Sequence, residues 1–505
     1  MQTKNILLLS ALMLIQTNLF SAVRLNSLFN DGMVIQRDKE VPVWGWADEN
    51  ESVTVSFNGQ SVSTTAKNGK WSVRLKPMKA NTQPQTMIVK GNNTIKVRDI
   101  LIGEVWICAG QSNMEWDVRR TNGGEEAIAS SNNDQLRICV VPHNVQHSPV
   151  DDVKVQWKHS SPQAVRFTSA VGYYFTSKLQ KEMKVPVGML QIAFGGTVIE
   201  SWMSREVLAA MPNKDKYMDS EAMKAEYDAR IAKIQPIIDA YERAKESARA
   251  NKQPAPPRPS EIPSEYKGTT TIYNGEICPI VPFAVRGIAW YQGESNAYPK
   301  RADTYYELLP AMIKLWRADW NEPALPFIII QITPNRKSQT DPNEWSGIAV
   351  IQDAQAKTVE KMPHTALVTT MDCAEEDVHY KEKRPVGDRT LLAAQYLCYG
   401  SKAEYCGPTF KSMQIKGNKC VISYNHASKG LSMQGDKLSG FVIAGKDQKF
   451  YFADARIVGN KVEVSSPQVP APVAVRYGWA NFPKVNLFNK EKLPASPFRT
   501  DNWTN

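Results

Sequence analysis

Ser112 is the residue best placed by its neighbours to act as a nucleophile. An apolar run at 104–109 leads directly into Gly110-Gln111-Ser112-Asn113. A serine at the end of a buried strand, beside a glycine, can project its hydroxyl into a cleft and turn its own N–H toward a developing oxyanion. Position 114 is Met, so this is not the G-x-S-x-G elbow of α/β-hydrolases. Taken alone, Gly-x-Ser after a strand is a weak signal and reads more readily as a helix-capping serine.

A serine hydroxyl needs a base. Of the six histidines, His379 stands just beyond a strand end in Asp372-Cys-Ala-Glu-Glu-Asp377-Val-His379. In an extended loop, positions 377 and 379 point the same way, which makes Asp377 a candidate partner, with Asp372 or a backbone carbonyl as alternatives. A surface ion pair would use the same residues. His143, His147 and His159 lie in polar loop sequence and read as surface residues, His364 precedes a strand, and His426 belongs to a C-terminal β region. Two further segments could supply oxyanion donors. Gln292 follows the apolar run 286–291, and Gly195-Gly196 follow 187–193. Paired glycines let backbone N–H groups approach a ligand, though they also occur in turns that bind nothing.

The elements that position these residues follow from the hydrophobic pattern. From about residue 99, apolar strand patterns at 104–109, 136–141, 187–193, 286–291, 327–332 and 365–371 alternate with helical ones at 169–183, 302–316, 346–362 and 385–399. That alternation predicts an α/β domain with a largely parallel sheet covered by helices on both faces. Chemistry should gather at the carboxyl ends of its strands.

Residues 23–98 read instead as an antiparallel β-sandwich domain: Val53, Val55 and Phe57 alternate before an Asn58-Gly59 turn, and Asn68-Gly69 repeats the signal. Residues 409–505 return to short strands. Between the two, 213–266 is an insertion within the catalytic domain 99–408. It is helical, with Pro236 expected to kink or divide it, and then Pro-rich from 252 to 265.

The 505 residues are too many for one ordinary core, and a composition of 42% hydrophobic and 22% charged residues is that of a globular protein. Lys4 followed by a short apolar stretch at 6–15, then small and polar residues to Ala22, predicts a cleaved signal peptide over 1–22 and a secreted or periplasmic protein. The stretch is too short for a membrane span, which takes about 20 residues. The net charge of +10 is scattered without a basic stripe, which argues against nucleic-acid binding. Seven cysteines include no C-x-x-C pair or zinc-ligand spacing, and Cys398 and Cys406 are near enough in sequence to pair.

Four segments, in order, resemble the SGNH-hydrolase superfamily and its sialate O-acetylesterase family. They are Gly-Gln-Ser-Asn, Phe-Gly-Gly-Thr with Ile-Glu-Ser-Trp, Trp-Tyr-Gln-Gly-Glu-Ser-Asn, and Asp-Val-His with Val-Gly-Asp-Arg downstream. Asp31-Gly-Met-Val-Ile-Gln-Arg37 and Val475-Arg-Tyr-Gly-Trp-Ala480 resemble the family's terminal regions, so the likeness covers nearly the whole chain. Tyr380 departs from the family, which usually has Pro after the histidine.

The resemblance implies a flavodoxin-like, three-layer α/β/α SGNH-hydrolase domain with accessory β regions at both ends. It implies Ser112 as nucleophile, His379 as base, Asp377 as acid, and Gly196 (or Gly195) and Gln292 in the oxyanion hole, with no metal or cofactor. The implied substrate is an O-acetylated sugar or glycan, O-acetylated sialic acid above others. Acetylxylan is the alternative within the same chemistry, and a non-catalytic carbohydrate-binding protein the alternative outside it.

Overall fold

The computed structural model describes residues 22–503 apart from 213, 219–220, 252, 258, 260 and 263–267. The expected signal peptide lies, but for Ala22, outside the described residues. Among those described, no helix is long and apolar enough to cross a membrane.

The chemistry-bearing loops hang from one mixed sheet. Its strands are β1 (Thr94–Gly110), β2 (Asn133–Val140), β3 (Trp157–Ser160), β4 (Val187–Ala193), β5 (Gly287–Tyr291), β6 (Phe327–Ile330) and β7 (Thr365–Val368). They lie in the order β3-β2-β4-β1-β5-β6-β7. All run parallel except β3, which pairs antiparallel with β2 at the edge. The sheet is largely parallel, as expected, and the short polar segment Trp157–Ser160 makes it mixed by folding back on β2. Within it β4-β1-β5-β6-β7 follows the 2-1-3-4-5 order of the flavodoxin type, with β2 and β3 added at one edge.

Both faces of the sheet are covered. Trp106 of β1 meets Phe175 edge-on at 5.2 Å and donates to the Tyr399 hydroxyl at 3.1 Å. This places helices α1 (Ala170–Met183) and α4 (Arg384–Cys398), which pack on each other, on that face. Side chains alternate across a strand, so Ala109 and its lateral partner Trp290 point the other way. There Trp290 packs edge-on against Trp316 at 5.6 Å, on helix α2 (Tyr305–Asp319), which contacts α3 (Gly347–Lys361).

The N-terminal β region is built as its turns predict. Asn58-Gly59 and Asn68-Gly69 all have positive φ in two-residue turns, and Val53, Val55 and Phe57 are buried. It is continuous with the catalytic sheet, however. β1 pairs with Asn81–Lys90 and Val34–Gln36 in its first half and with β4 and β5 in its second, and one hydrophobic core runs through both regions. The C-terminal strands hold a second core and are joined to the sheet where Gln331 donates to Ser496 Oγ at 2.9 Å.

Among its described residues the insertion carries a long helix, Glu221–Ala250, that Pro236 does not divide. Pro236 is exposed, so water can reach the carbonyl left without its helical donor. All seven cysteines, Cys398 and Cys406 included, are free thiols.

Gly110 is a point of close backbone approach in the sheet. Its φ is +144°, and a Cβ there would lie 2.0 Å from the Tyr291 carbonyl oxygen. Gly110→Ala is expected to destabilise the fold by about 3 kcal/mol or more and to abolish activity with it. A variant melting like the wild type would contradict this.

Candidate active site

Ser112 leaves β1 as the first residue of a short helix, Ser112–Glu115. The exit is fixed from beneath by Gln111, whose N–H donates to the Tyr291 carbonyl at 3.0 Å. Its buried side-chain oxygen accepts from Gln292 Nε2 and from the N–H groups of Gly293 and Ser295, each at 3.2 Å. Successive strands diverge around β1, with β4 on one side and β5 on the other, and this crevice at the carboxyl ends is where open α/β sheets bind ligands.

A cleft of about 460 Å³ opens there, lined by Ser112, Glu115, Trp116, Arg120, His143 and His379 among others. Larger hollows of about 620 and 790 Å³ elsewhere contain neither Ser112 nor His379. Sequence residues far apart thus meet: Ser112 from the end of β1 and His379 from the loop after β7. The His379 ring stacks on Trp116, with centroids 4.6 Å apart and planes at 16°. Its Nε2 is buried and has no hydrogen-bond partner among the described residues. Burial, then the nearby Lys383 cation, lowers its pKa below the usual 6.5, with Asp377 opposing. The imidazole is accordingly neutral at pH 7.

The two candidate acids are placed differently. Asp372 is clasped by both Arg389 nitrogens at 2.7 and 2.6 Å, which takes it away from the imidazole. Asp377 accepts the backbone N–H of His379 at 2.9 Å, while its carboxylate stands 3.8 Å from Nδ1 and is 69% exposed. Its hold on the histidine is through the main chain.

The glycine pair is brought to Ser112: a Cβ on Gly195 would lie 3.2 Å from that of Ser112. The Gly195 N–H donates to Glu115 Oε2 at 2.7 Å, whereas Gly196, at φ +72°, is the next N–H along. Gln292 is not brought into the cleft. It is fully buried, and Nε2 faces Asn296 Oδ1 at 2.9 Å, the Thr197 carbonyl at 3.1 Å and Gln111. Its oxygen accepts from Tyr305 at 2.8 Å. The amide braces the turns beneath the cleft, with its hydrogens directed at protein acceptors.

Several cleft residues escape sequence reasoning. His143, read as a surface residue, stacks on Phe194 at 3.6 Å and lies 2.8 Å from Glu115 Oε1. Burial is the largest influence and works against its charge, but the hydrogen bond and charge of Glu115, with Glu276 and the Ala193 carbonyl, together outweigh it and the pKa is raised. Arg120 lies over the Trp116 ring at 5.0 Å and pairs through Nε with Asp117 at 3.2 Å. The one available signal was position: Pro142-His143 directly follows a strand end, as Ser112 does. Among the described residues no group of three or more His, Cys, Asp or Glu is arranged to hold a metal ion.

Comparison with known proteins identifies the family. The profile described as "Carbohydrate esterase, sialic acid-specific acetylesterase" matches residues 102–238 and 266–398, more than half of the chain. Sialate O-acetylesterases of Rattus norvegicus and Homo sapiens are 26% and 25% identical to it. Each alignment covers 94% of this chain, and 94% and 92% of those proteins. The crystal structure of a carbohydrate acetylesterase from Xanthomonas citri superposes with a TM-score of 0.81 at 35% identity, covering 95% of this chain and all of that one. With a serine and a neutral histidine facing one cleft and a matching family profile around them, the chain belongs to the sialic acid-specific acetylesterase family of carbohydrate esterases and is a carboxylic ester hydrolase.

Proposed function

We propose that the protein, with an SGNH-type catalytic domain, removes acetyl groups from O-acetylated sialic acid by acyl transfer through Ser112. The observation that carries this reading is the shared cleft of Ser112 and His379, with the imidazole neutral and its Nε2 unpartnered. His379 Nε2 takes the Ser112 proton as Oγ bonds to the acetyl carbon. The tetrahedral intermediate then breaks its bond to the sugar oxygen, which leaves with that proton, and a water deprotonated by His379 releases acetate.

The N–H groups of Ser112 and Gly196 serve the oxyanion. Gln292 sets the height of the Ser112 turn through Gln111 instead of donating directly. Asp377 positions His379 by its main chain. No cofactor takes part. The sialic acid preference is supported by the family profile and by Arg120, whose half-exposed guanidinium lines the cleft and pairs with Asp117 through Nε. Such a group suits a sugar carboxylate.

Ser112→Ala is expected to lower acetate release at least about 10³-fold, and retained activity would remove Ser112 from the mechanism. Across a panel of substrates, acetylated sialic acids should exceed acetylxylan in kcat/KM, and the reverse order would replace the substrate.

The exposure of Asp377 has its own consequence. Removing a buried triad acid costs about 10⁴-fold in kcat, whereas Asp377→Asn is expected to cost less than about tenfold. The rate follows neutral His379, so kcat/KM falls as pH drops through a pKa below 6.5. Losing the Asp377 charge, which raises that pKa, should move this limb to lower pH. A pH–rate profile with the limb unmoved, or shifted upward, would contradict the placement.

A further inference from the structure

The proposed chemistry leaves a buried pair of charges without a task. Lys383 is fully buried, and Glu294 is almost so. Burial pulls the lysine down to about 7 and pushes the glutamic acid up. Asn113 lies between them. Lys383 Nζ donates to Asn113 Oδ1, and Asn113 Nδ2 donates to Glu294 Oε1 at 2.6 Å and to the Val378 carbonyl at 3.1 Å. Tyr380, the residue that departs from the family pattern, sets its ring under the same ammonium at 3.5 Å.

These contacts join three separate segments. Asn113 follows Ser112, Val378 precedes His379, and Glu294 lies in the turn that holds Gln111. A buried ion pair is rarely the cheapest filling for a core, but charges of opposite sign can select one of the two orientations of an amide. Lys383 requires Oδ1 on its side and Glu294 requires Nδ2 on the other. In that orientation a hydrogen of Nδ2 faces Val378.

The His379 ring itself has little else to fix it. Nε2 has no partner among the described residues, and Nδ1 is 3.8 Å from an exposed carboxylate. Beyond the Trp116 stack and the Asp377 bond to its N–H, the tie from Asn113 to Val378 joins its loop to the nucleophile turn.

We propose that Asn113, oriented by Lys383 and Glu294, is a positioning residue that fixes the His379 loop against the Ser112 turn. The inference rests on Ser112 and His379 being nucleophile and base. Asn113→Ala removes the tie. Asn113→Asp keeps the volume and the acceptor for Lys383 but has no hydrogen for Val378.

For both variants kcat should fall by about 10²-fold, the scale of a small misplacement of reacting groups, with KM within about threefold of wild type. Labelling of Ser112 by a fluorophosphonate, followed as a mass shift on its peptide, should slow by a similar factor, because it needs the same base but none of the sugar contacts. The proposal is overturned if a variant that melts within a few degrees of the wild type keeps kcat and labelling rate within about threefold, or if kcat and KM worsen in proportion. Ser112→Ala separates this outcome from failure of the parent reading. If that variant still releases acetate and wild-type Ser112 takes no label, it is the nucleophile assignment that falls.

Discussion

The whole cleft depends on main chain touching main chain at Gly110 and Tyr291. A side chain at Gly110 would hold β1 and β5 apart, because its Cβ would sit on the Tyr291 carbonyl. With the strands this close, Gln111 bonds to Tyr291 and its amide oxygen gathers the turn after β5. On the other side, Phe194 N–H donates to the Gly110 carbonyl at 2.9 Å, which brings the glycine pair after β4 alongside Ser112. Three strand ends are thereby gathered around one glycine.

The nucleophile and the base are held by different physics. Ser112 is set by a hydrogen-bonded turn rooted in buried strands. His379 rides on a loop, and its ring is kept in place by the face of Trp116. The cleft around them mixes signs: Glu115 pairs with His143, and Asp117 with Arg120. Such pairing lets a polar sugar exchange hydrogen bonds with the wall while the imidazole stays in a drier spot beside it.

Much of this was legible in the sequence. Strands buried on both faces are near-continuous apolar runs, so 187–193 was readable to the residue and 104–109 was recognised as the approach to the nucleophile. The four helices were marked by their period. What local pattern could not show was lateral order. β3 is short and polar, and nothing in Trp157-Lys-His-Ser160 signals pairing with β2. His143 looks like a loop residue until the strand order brings its loop beside Glu115. Spacing also located Gln292 at a strand end without revealing which way its amide turns, because the acceptors that capture it come from residues 111, 197 and 296. The bond from Lys383 to Asn113 spans 270 residues and has no local signature.

The unbroken run of β1 from residue 94 to 110 bears on how such a chain could be cut or recombined. The seventeen residues serve two regions in turn, their first half completing the N-terminal β layer and their last residue leading into the nucleophile turn. A break at 98/99 would fall inside a hydrogen-bonded strand and strip a wall from a core common to both sides. For this enzyme the N-terminal β region is therefore no detachable appendage to be swapped between scaffolds. Any graft or shortened version must carry it along, with its joints placed in exposed loops elsewhere.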